Sequence, residues 1–251
     1  MSAMTRLIQT VGDAVFPPAC DACQATISSA EAPWCPSCAR ELLQAVAGGY
    51  CARCGACSGP YQVDTDGCAE CRDVGRRLDG FARVGTYHSI VGQMLKRFKF
   101  GHQHRLDASL GTLLADAISS RSWYGEIDAL VPVPTDFRSR LRYRCHPAGA
   151  IARVVGRRLG LDVLPVVLVR GKRRRQTQLS HTDRPANVRG IFHVRSQARL
   201  AGAKLCVIDD VSTTGATLRE MARVLRAAGA AAVYGATVAR TEHDRTDREW
   251  A

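Results

Sequence analysis

Two adjacent carboxylates, Asp209 and Asp210, follow the apolar run Leu205-Cys206-Val207-Ile208 and stand just before Ser212-Thr213-Thr214-Gly215-Ala216-Thr217. The run reads as a buried parallel strand, so the polar cluster falls at its carboxyl end. Beyond it Leu218, Met221, Ala222 and Leu225 recur at helical spacing, which predicts an amphipathic helix closed at Gly229. A small-residue turn between strand and helix presents backbone N–H groups and the positive end of the helix dipole. That is an anion site, suited to a phosphate. Carboxylates cannot hold a phosphate themselves. They suit hydroxyl groups, or a metal ion held among hydroxyls and further phosphates. The combination points to a sugar phosphate.

A second chemistry lies near the N-terminus, where nine of the eleven cysteines precede residue 72. Eight form Cys-x-x-Cys pairs: Cys20/Cys23, Cys35/Cys38, Cys51/Cys54 and Cys68/Cys71. Each pair puts two thiolates on one knuckle, and two knuckles complete a tetrahedral site. Four pairs in a chain with no secretory signal therefore predict two structural zinc ions rather than disulfides. The simplest pairing joins the first knuckle to the second and the third to the fourth; interleaved pairing also satisfies the spacing. A site closed by four thiolates has no open position for catalysis, and its role is to hold a short segment folded. Cys57 is left over beside the third knuckle. Cys145 and Cys206 are isolated and read as packing residues.

The elements that must carry these groups begin at Phe81. "ARVGTYH" is strand-like, "IVGQMLKRFKFG" a short basic helix, and "LDASLGTLLADAISS" a longer helix. "IDALVPVP" is a strand, "AGAIARVVGRRLG" a helix, "LDVLPVVLVR" a strand, and "AAVYGATVAR" the last strand. Strands alternating with helices predict an α/β fold with a parallel sheet, whose ligands sit at the carboxyl ends of the strands. Between Arg170 and Gly190 a polar, strongly basic stretch without apolar periodicity predicts a long binding loop or lid. It contains Arg170, Lys172, Arg173, Arg174, Arg175, Gln176, Arg184 and Asn187. The expected organisation is a double zinc-ribbon over residues 1–80, an α/β domain over 81–240 and a polar tail over 241–251.

Hydrophobic residues make up 46% of 251, ordinary for a folded globular chain with room for one full domain and a small one. No apolar run approaches the ~20 residues needed to span a bilayer, so membrane insertion is not expected and the cytoplasm is the expected location. The net charge of +12 is uneven. Residues 1–80 hold six Lys/Arg against nine Asp/Glu, and residues 81–251 hold 29 against 14. The larger part is thus the basic one, and it suits an acidic partner such as a pyrophosphate or a nucleic acid backbone.

"VIDDVSTTGATL" resembles the phosphoribosyl pyrophosphate (PRPP) motif of type I phosphoribosyltransferases. With the four cysteine pairs, and with "FPPACDAC", "KRFKFGH", "ALVPVP", "QTQLSHTDRPANVRGIF" and "GATVAR", nearly the whole chain resembles the ComF family, competence-associated proteins with a phosphoribosyltransferase domain. The resemblance implies a type I phosphoribosyltransferase-like parallel sheet flanked by helices, behind the cysteine-rich module. It implies that Asp209 and Asp210 hold the ribose 2′- and 3′-hydroxyls and that Ser212, Thr213, Thr214, Gly215, Ala216 and Thr217 cradle the 5′-phosphate. Thr135 and Asp136 would form the pyrophosphate loop, with Mg²⁺ bridging ribose and pyrophosphate oxygens. The basic stretch from Arg170 would close over the pyrophosphate.

Two positions depart from the family pattern. Where members carry Arg-Gly-Phe-Asn-Gln, this chain has Arg144-Cys145-His146-Pro147-Ala148, which keeps only the arginine. Where purine phosphoribosyltransferases place a basic aspartate in the phosphate loop, this chain has Thr213, which cannot take a proton at neutral pH. His146 is then the candidate base. Two functions follow. One is pentosyl transfer from PRPP with Mg²⁺, linked to DNA uptake. The other is non-catalytic binding or handling of single-stranded DNA by the basic surface in a protein that retains a PRPP or nucleotide pocket, with Phe98, Phe100 and Tyr143 as stacking candidates and competence-machinery proteins as candidate partners.

Overall fold

The strand-like apolar runs assemble into one parallel sheet with a different helical layer on each face. The computed structural model describes residues 18–27, 33–58, 67–68, 71, 78–101, 103, 105–135, 146–169, 190–195 and 198–242. In chain order it runs α1 (Pro36–Ala47), β1 (Phe81–Thr86), α2 (Ile90–Phe100) and α3 (Leu106–Ser119). A 3-10 turn (Tyr124–Glu126), β2 (Ala129–Pro132), α4 (Pro147–Leu159), β3 (Asp162–Val163) and β4 (Val167–Val169) follow. The chain then forms β5 (Phe192–Val194), β6 (Lys204–Ser212), α5 (Ala216–Ala227) and β7 (Ala232–Arg240). No helix among the described residues is long and apolar enough to cross a membrane.

The sheet order is β1-β7-β6-β2-β3, and every pairing is parallel. Side chains alternate across the central strand. Cys206 and Ile208 enter the core under α2, α3 and α4, whereas Leu205 and Val207 enter the core under α5. Each fully buried Leu or Ile contributes about 1.5–3 kcal/mol, so a strand apolar on both faces can only be central. The right-handed crossover rule then shapes the site. From β2 the chain steps outward through α4 to β3; from β6 it steps the other way through α5 to β7 on the opposite face. A crevice opens where these directions diverge, at the carboxyl ends of β6 and β2.

"LDVLPVVLVR" does not form one strand. Pro165 has no N–H for a ladder, and the run divides there. Asp162–Val163 joins the main sheet beside β2, while Val167–Val169 leaves it to pair antiparallel with β5. The Val169↔Phe192 pairing brings together the two ends of the basic stretch. Gly190 N–H, at its far end, donates to Glu220 Oε1 of α5 at 2.7 Å.

The cysteine-rich segment packs directly on the α/β layers. Cys20, Ala22, Cys38 and Leu42 share the core of α2 and α3. The guanidinium of Arg97 in α2 donates to the carbonyls of Asp21 (3.0 Å) and Ala22, and the Ser109 hydroxyl of α3 donates to the Asp21 carboxylate. The third knuckle is fastened as well, since Phe81 N–H donates to the Ala52 carbonyl at 2.7 Å. Gly55 lies at φ +75°, and a side chain there would run into the Phe81 ring.

Candidate functional site

Asp209 and Asp210 lie where β6 outruns one of its neighbours. Pairing with β2 ends at Pro132↔Ile208, with Val133 N–H closing onto the Ile208 carbonyl at 2.9 Å, while pairing with β7 continues to Ser212↔Arg240. The aspartates thus remain in a rigid ladder on one side and border the crevice on the other. Asp210 N–H donates to Asp209 Oδ1 (2.9 Å), and Val211 N–H to Asp210 Oδ1 (2.8 Å), which fixes both carboxylates against the backbone.

Lys99, in the last turn of α2, ion-pairs with Asp210 Oδ2. The two side chains are only 16% and 15% exposed. Burial alone would raise the Asp210 carboxyl, but the Lys99 ammonium and a hydrogen bond with Asp209 outweigh it and hold Asp210 below the usual range. Asp209 behaves oppositely: burial, then the Asp210 charge, push its carboxyl well above the usual value. Adjacent acids in one pocket are thus driven apart, one ionised and one inclined to keep its proton.

The turn after β6 has the shape of an anion cradle. Gly215 adopts the left-handed conformation at φ +71°, which lets α5 start abruptly at Ala216. Ala216 N–H donates to Thr214 Oγ1 at 3.3 Å, and Arg219 NH1 to the Thr214 carbonyl at 2.6 Å, stitching the turn to its helix. Ser212 is 3% exposed and its Oγ has no hydrogen-bond partner among the described residues. The same holds for Thr237 Oγ1, fully buried in β7 opposite Asp209. Unpartnered buried hydroxyls are costly, and they border the carboxylates and the turn.

Asp209, Asp210 and Ser212 to Thr217 are therefore brought together as one continuous lip of the crevice, and Thr135 follows the neighbouring strand end. Asp136 lies outside the described residues, as do Arg170, Lys172, Arg173, Arg174, Arg175, Gln176, Arg184 and Asn187. Arg144, Cys145 and Tyr143 lie outside them too. His146, the candidate base, has its Nε2 at 2.9 Å from the Val133 carbonyl, where an N–H donates and ties the start of α4 to the end of β2. Of the stacking candidates in α2, Phe98 is buried core and Phe100 is 53% exposed. Lys99, Thr237, Glu220 and Arg219 were not expected at the site. Only "KRFKFGH" within the family resemblance marked Lys99.

The cysteines form two groups, Cys20/Cys23/Cys35/Cys38 and Cys51/Cys54/Cys68/Cys71, with all sulfurs in each group within 4.8 Å of one another. Consecutive knuckles thus pair, and interleaving is excluded. Four thiolates about 2.3 Å from a tetrahedral zinc stand about 3.8 Å apart. Here Cys23–Cys35 is 3.8 Å, Cys51–Cys71 3.7 Å and Cys54–Cys68 3.5 Å, so both groups could hold zinc. Within the second group, hydrogen bonds from Cys54 and Cys71 pull the Cys51 thiol down, and the same contacts push the Cys54 and Cys71 thiols up. Cys57 is outside both groups: it accepts from Arg83 NH2 at 3.0 Å and donates to Glu242 Oε1 at 2.7 Å.

A parallel sheet flanked by helices, with an acidic pair and an anion turn at its switch point, defines the class, and comparison with known sequences agrees. Residues 145–250 match the family described as phosphoribosyl transferase domain. The chain is also similar to two kinds of curated protein. It is 26% identical over 215 residues to competence protein F of Haemophilus influenzae, covering 84% of this chain and 91% of that protein. It is 26% identical over 230 residues to DNA utilization protein YhgH of Salmonella typhi, covering 90% and 98%. Among solved structures, glutamine PRPP amidotransferase from B. subtilis aligns with 57% of this chain and 30% of its own length, at 18% identity and TM-score 0.37. Adenine phosphoribosyltransferase from Thermoanaerobacter pseudethanolicus aligns with 57% and 83%, at 16% identity and TM-score 0.37.

Proposed function

We propose that the chain binds PRPP at the lip formed by Asp209, Asp210 and the turn from Ser212 to Thr217, and acts as a specialised phosphoribosyltransferase of the ComF type. One observation carries this reading: a buried, backbone-fixed carboxylate pair runs directly into a left-handed Gly turn at the switch point of a parallel sheet. The pair suits the vicinal hydroxyls of a ribose, and the turn suits its 5′-phosphate. Thr135 and Asp136 would face the pyrophosphate, and the basic stretch from Arg170 would cover it. Transfer would then consist of attack by an acceptor at the anomeric carbon with departure of pyrophosphate. With Thr213 unable to act as base and His146 engaged at the Val133 carbonyl, an acceptor that needs no deprotonation fits best.

The expected magnesium ion finds no pair of available carboxylates on the described residues. Asp210 is taken by Lys99, and Asp209 tends to keep its proton. Magnesium would therefore accompany the ligand on its pyrophosphate oxygens.

The names of the relatives, competence and DNA utilization, favour a cytoplasmic role linked to DNA uptake, with competence proteins as partners. Direct binding of single-stranded DNA keeps the exposed Phe100 in its favour. Its cations in α2 are engaged, however: Arg97 on the first knuckle, Lys99 on Asp210 and Lys96 over the Tyr87 ring at 4.9 Å. Titration calorimetry of PRPP into the zinc-loaded protein, beside an Asp209→Ala, Asp210→Ala variant, separates the two readings. Binding that the variant loses supports the pocket. Salt-sensitive DNA binding without any for PRPP would transfer the function to the basic surface.

A further inference from the structure

The β1 edge of the sheet holds a buried positive charge with no ion pair among the described residues. Arg83, in the middle of β1, is 3% exposed, and its Nε and NH1 have no hydrogen-bond partner among them either. Its NH2 donates to Cys57 Sγ at 3.0 Å. Cys57 does not supply the missing anion: burial, and then the hydrogen bond to Glu242, hold its thiol above the usual range, so it stays protonated. A buried guanidinium without a counter-charge is strongly destabilising, so an anion belongs here.

Further cations gather at the same place. The Arg83 guanidinium lies 4.9 Å from the centroid of the Tyr50 ring, and that of Arg121 lies 5.1 Å from the same centroid, with its Nε enclosed and unpartnered among the described residues. Arg240 of β7, also 3% exposed, donates to the Cys54 carbonyl. Glu242 is exposed and touches Cys57 rather than a guanidinium. All of these groups surround the second cysteine group, since Tyr50 and Cys57 form the isolated bridge that closes the third knuckle. Four thiolates around a divalent ion make a centre with two net negative charges. The first group is balanced differently. Arg97 holds the Asp21 and Ala22 carbonyls, but the Asp21 carboxylate lies in the same knuckle, with the mostly exposed Arg105 at 3.9 Å.

Resting on the zinc reading of the second cysteine group, we propose that Arg83 is a counter-cation of that metal centre, within a positive shell that Arg121 and Arg240 extend. This charge, as well as the four sulfurs, sets how tightly the second metal is held. The cations come from β1, from β7 and from the chain after α3, none of them part of the cysteine-rich segment. The α/β layers thus complete the metal site, and metal binding and the docking of the third knuckle on β1 reinforce each other.

The test is competition for zinc between the full chain and the chelator 4-(2-pyridylazo)resorcinol at one pH. Cys20→Ser and Cys51→Ser each disable one group and so assign the two affinities. Arg83→Met should weaken zinc binding by the second group about 10- to 100-fold, the usual worth of an outer-shell partner, and leave the first group within about 2-fold. Arg83→Lys, which keeps the charge, should recover most of that loss. Arg121→Met, at a half-buried position, should weaken the second group in the same direction, and it serves if Arg83→Met does not fold. Glu242→Gln should leave the second group as tight as in wild type or tighter. In metal-free protein, where no metal centre answers the charge, Arg83→Met should unfold at a temperature no lower than wild type. Equal losses in Arg83→Met and Arg83→Lys, or equal losses from both groups, overturn the proposal and make Arg83 a packing residue. An unchanged second group in Arg83→Met, with Glu242→Gln destabilising the protein instead, would make Glu242 the anion that Arg83 answers. Either result leaves the second zinc in place, whereas a wild type that loads zinc in the first group alone removes the zinc reading and the proposal together.

Discussion

Asp209 is held in a place that suits a ligand better than it suits the fold, and Asp209→Asn should show this as a gain in stability. The carboxyl is 9% exposed, and both burial and Asp210 raise its pKa. A carboxyl raised in the folded state favours folding fully below its unfolded value of about 3.9, and that contribution is lost as pH climbs through the folded value. Above that point the ionised Asp209 opposes folding, whereas Asn does not. Like charges about 4 Å apart in an effective dielectric of about 20 repel by about 4 kcal/mol. The Lys99 ammonium on Asp210 offsets roughly half of this, which leaves about 2 kcal/mol. For a chain of this size that is a rise in Tm of about 4–8 °C. Thermal and urea unfolding of both proteins between pH 6 and pH 8.5 is the assay, since the cysteine groups are identical and their pH dependence cancels in the difference. The gap should widen as pH rises, and PRPP binding should fall in the same variant. A variant less stable than wild type, or a gap constant with pH, would refute this account of the carboxylate pair.

Metal analysis should find two zinc ions per chain, and Cys51→Ser should leave one; retention of two would mean that the second group is not a single four-thiolate site. Glu220→Ala removes an acceptor that holds both Gly190 N–H and the Arg223 guanidinium at 2.7 Å, and it should cost about 2–3 kcal/mol in urea unfolding. A loss below about 0.5 kcal/mol would show that the far end of the basic stretch is not anchored through α5.

What the sequence determined by itself was local chemistry. Each cysteine knuckle is two cysteines three positions apart, and the acidic pair, small-residue turn and helix follow one another without interruption. Groups that act within a few residues of each other leave their geometry in the spacing. The apolar runs that make the parallel sheet were legible for the same reason, except where Pro165 divided one of them and sent its second half to β5. Tertiary structure decided what the spacing could not carry. A lysine near the end of a basic amphipathic helix is by default a solvated charge, and only the docking of α2 against the first knuckle turns Lys99 onto Asp210. Thr237 meets Asp209 through strand register alone, and Glu220 reaches Gly190 because α5 covers the face that β4 and β5 share. The pairing of the knuckles was likewise left open by spacing and settled by packing. Register and helix docking arise from the burial of both faces of the sheet at once, a property of the whole chain that no short stretch of it contains.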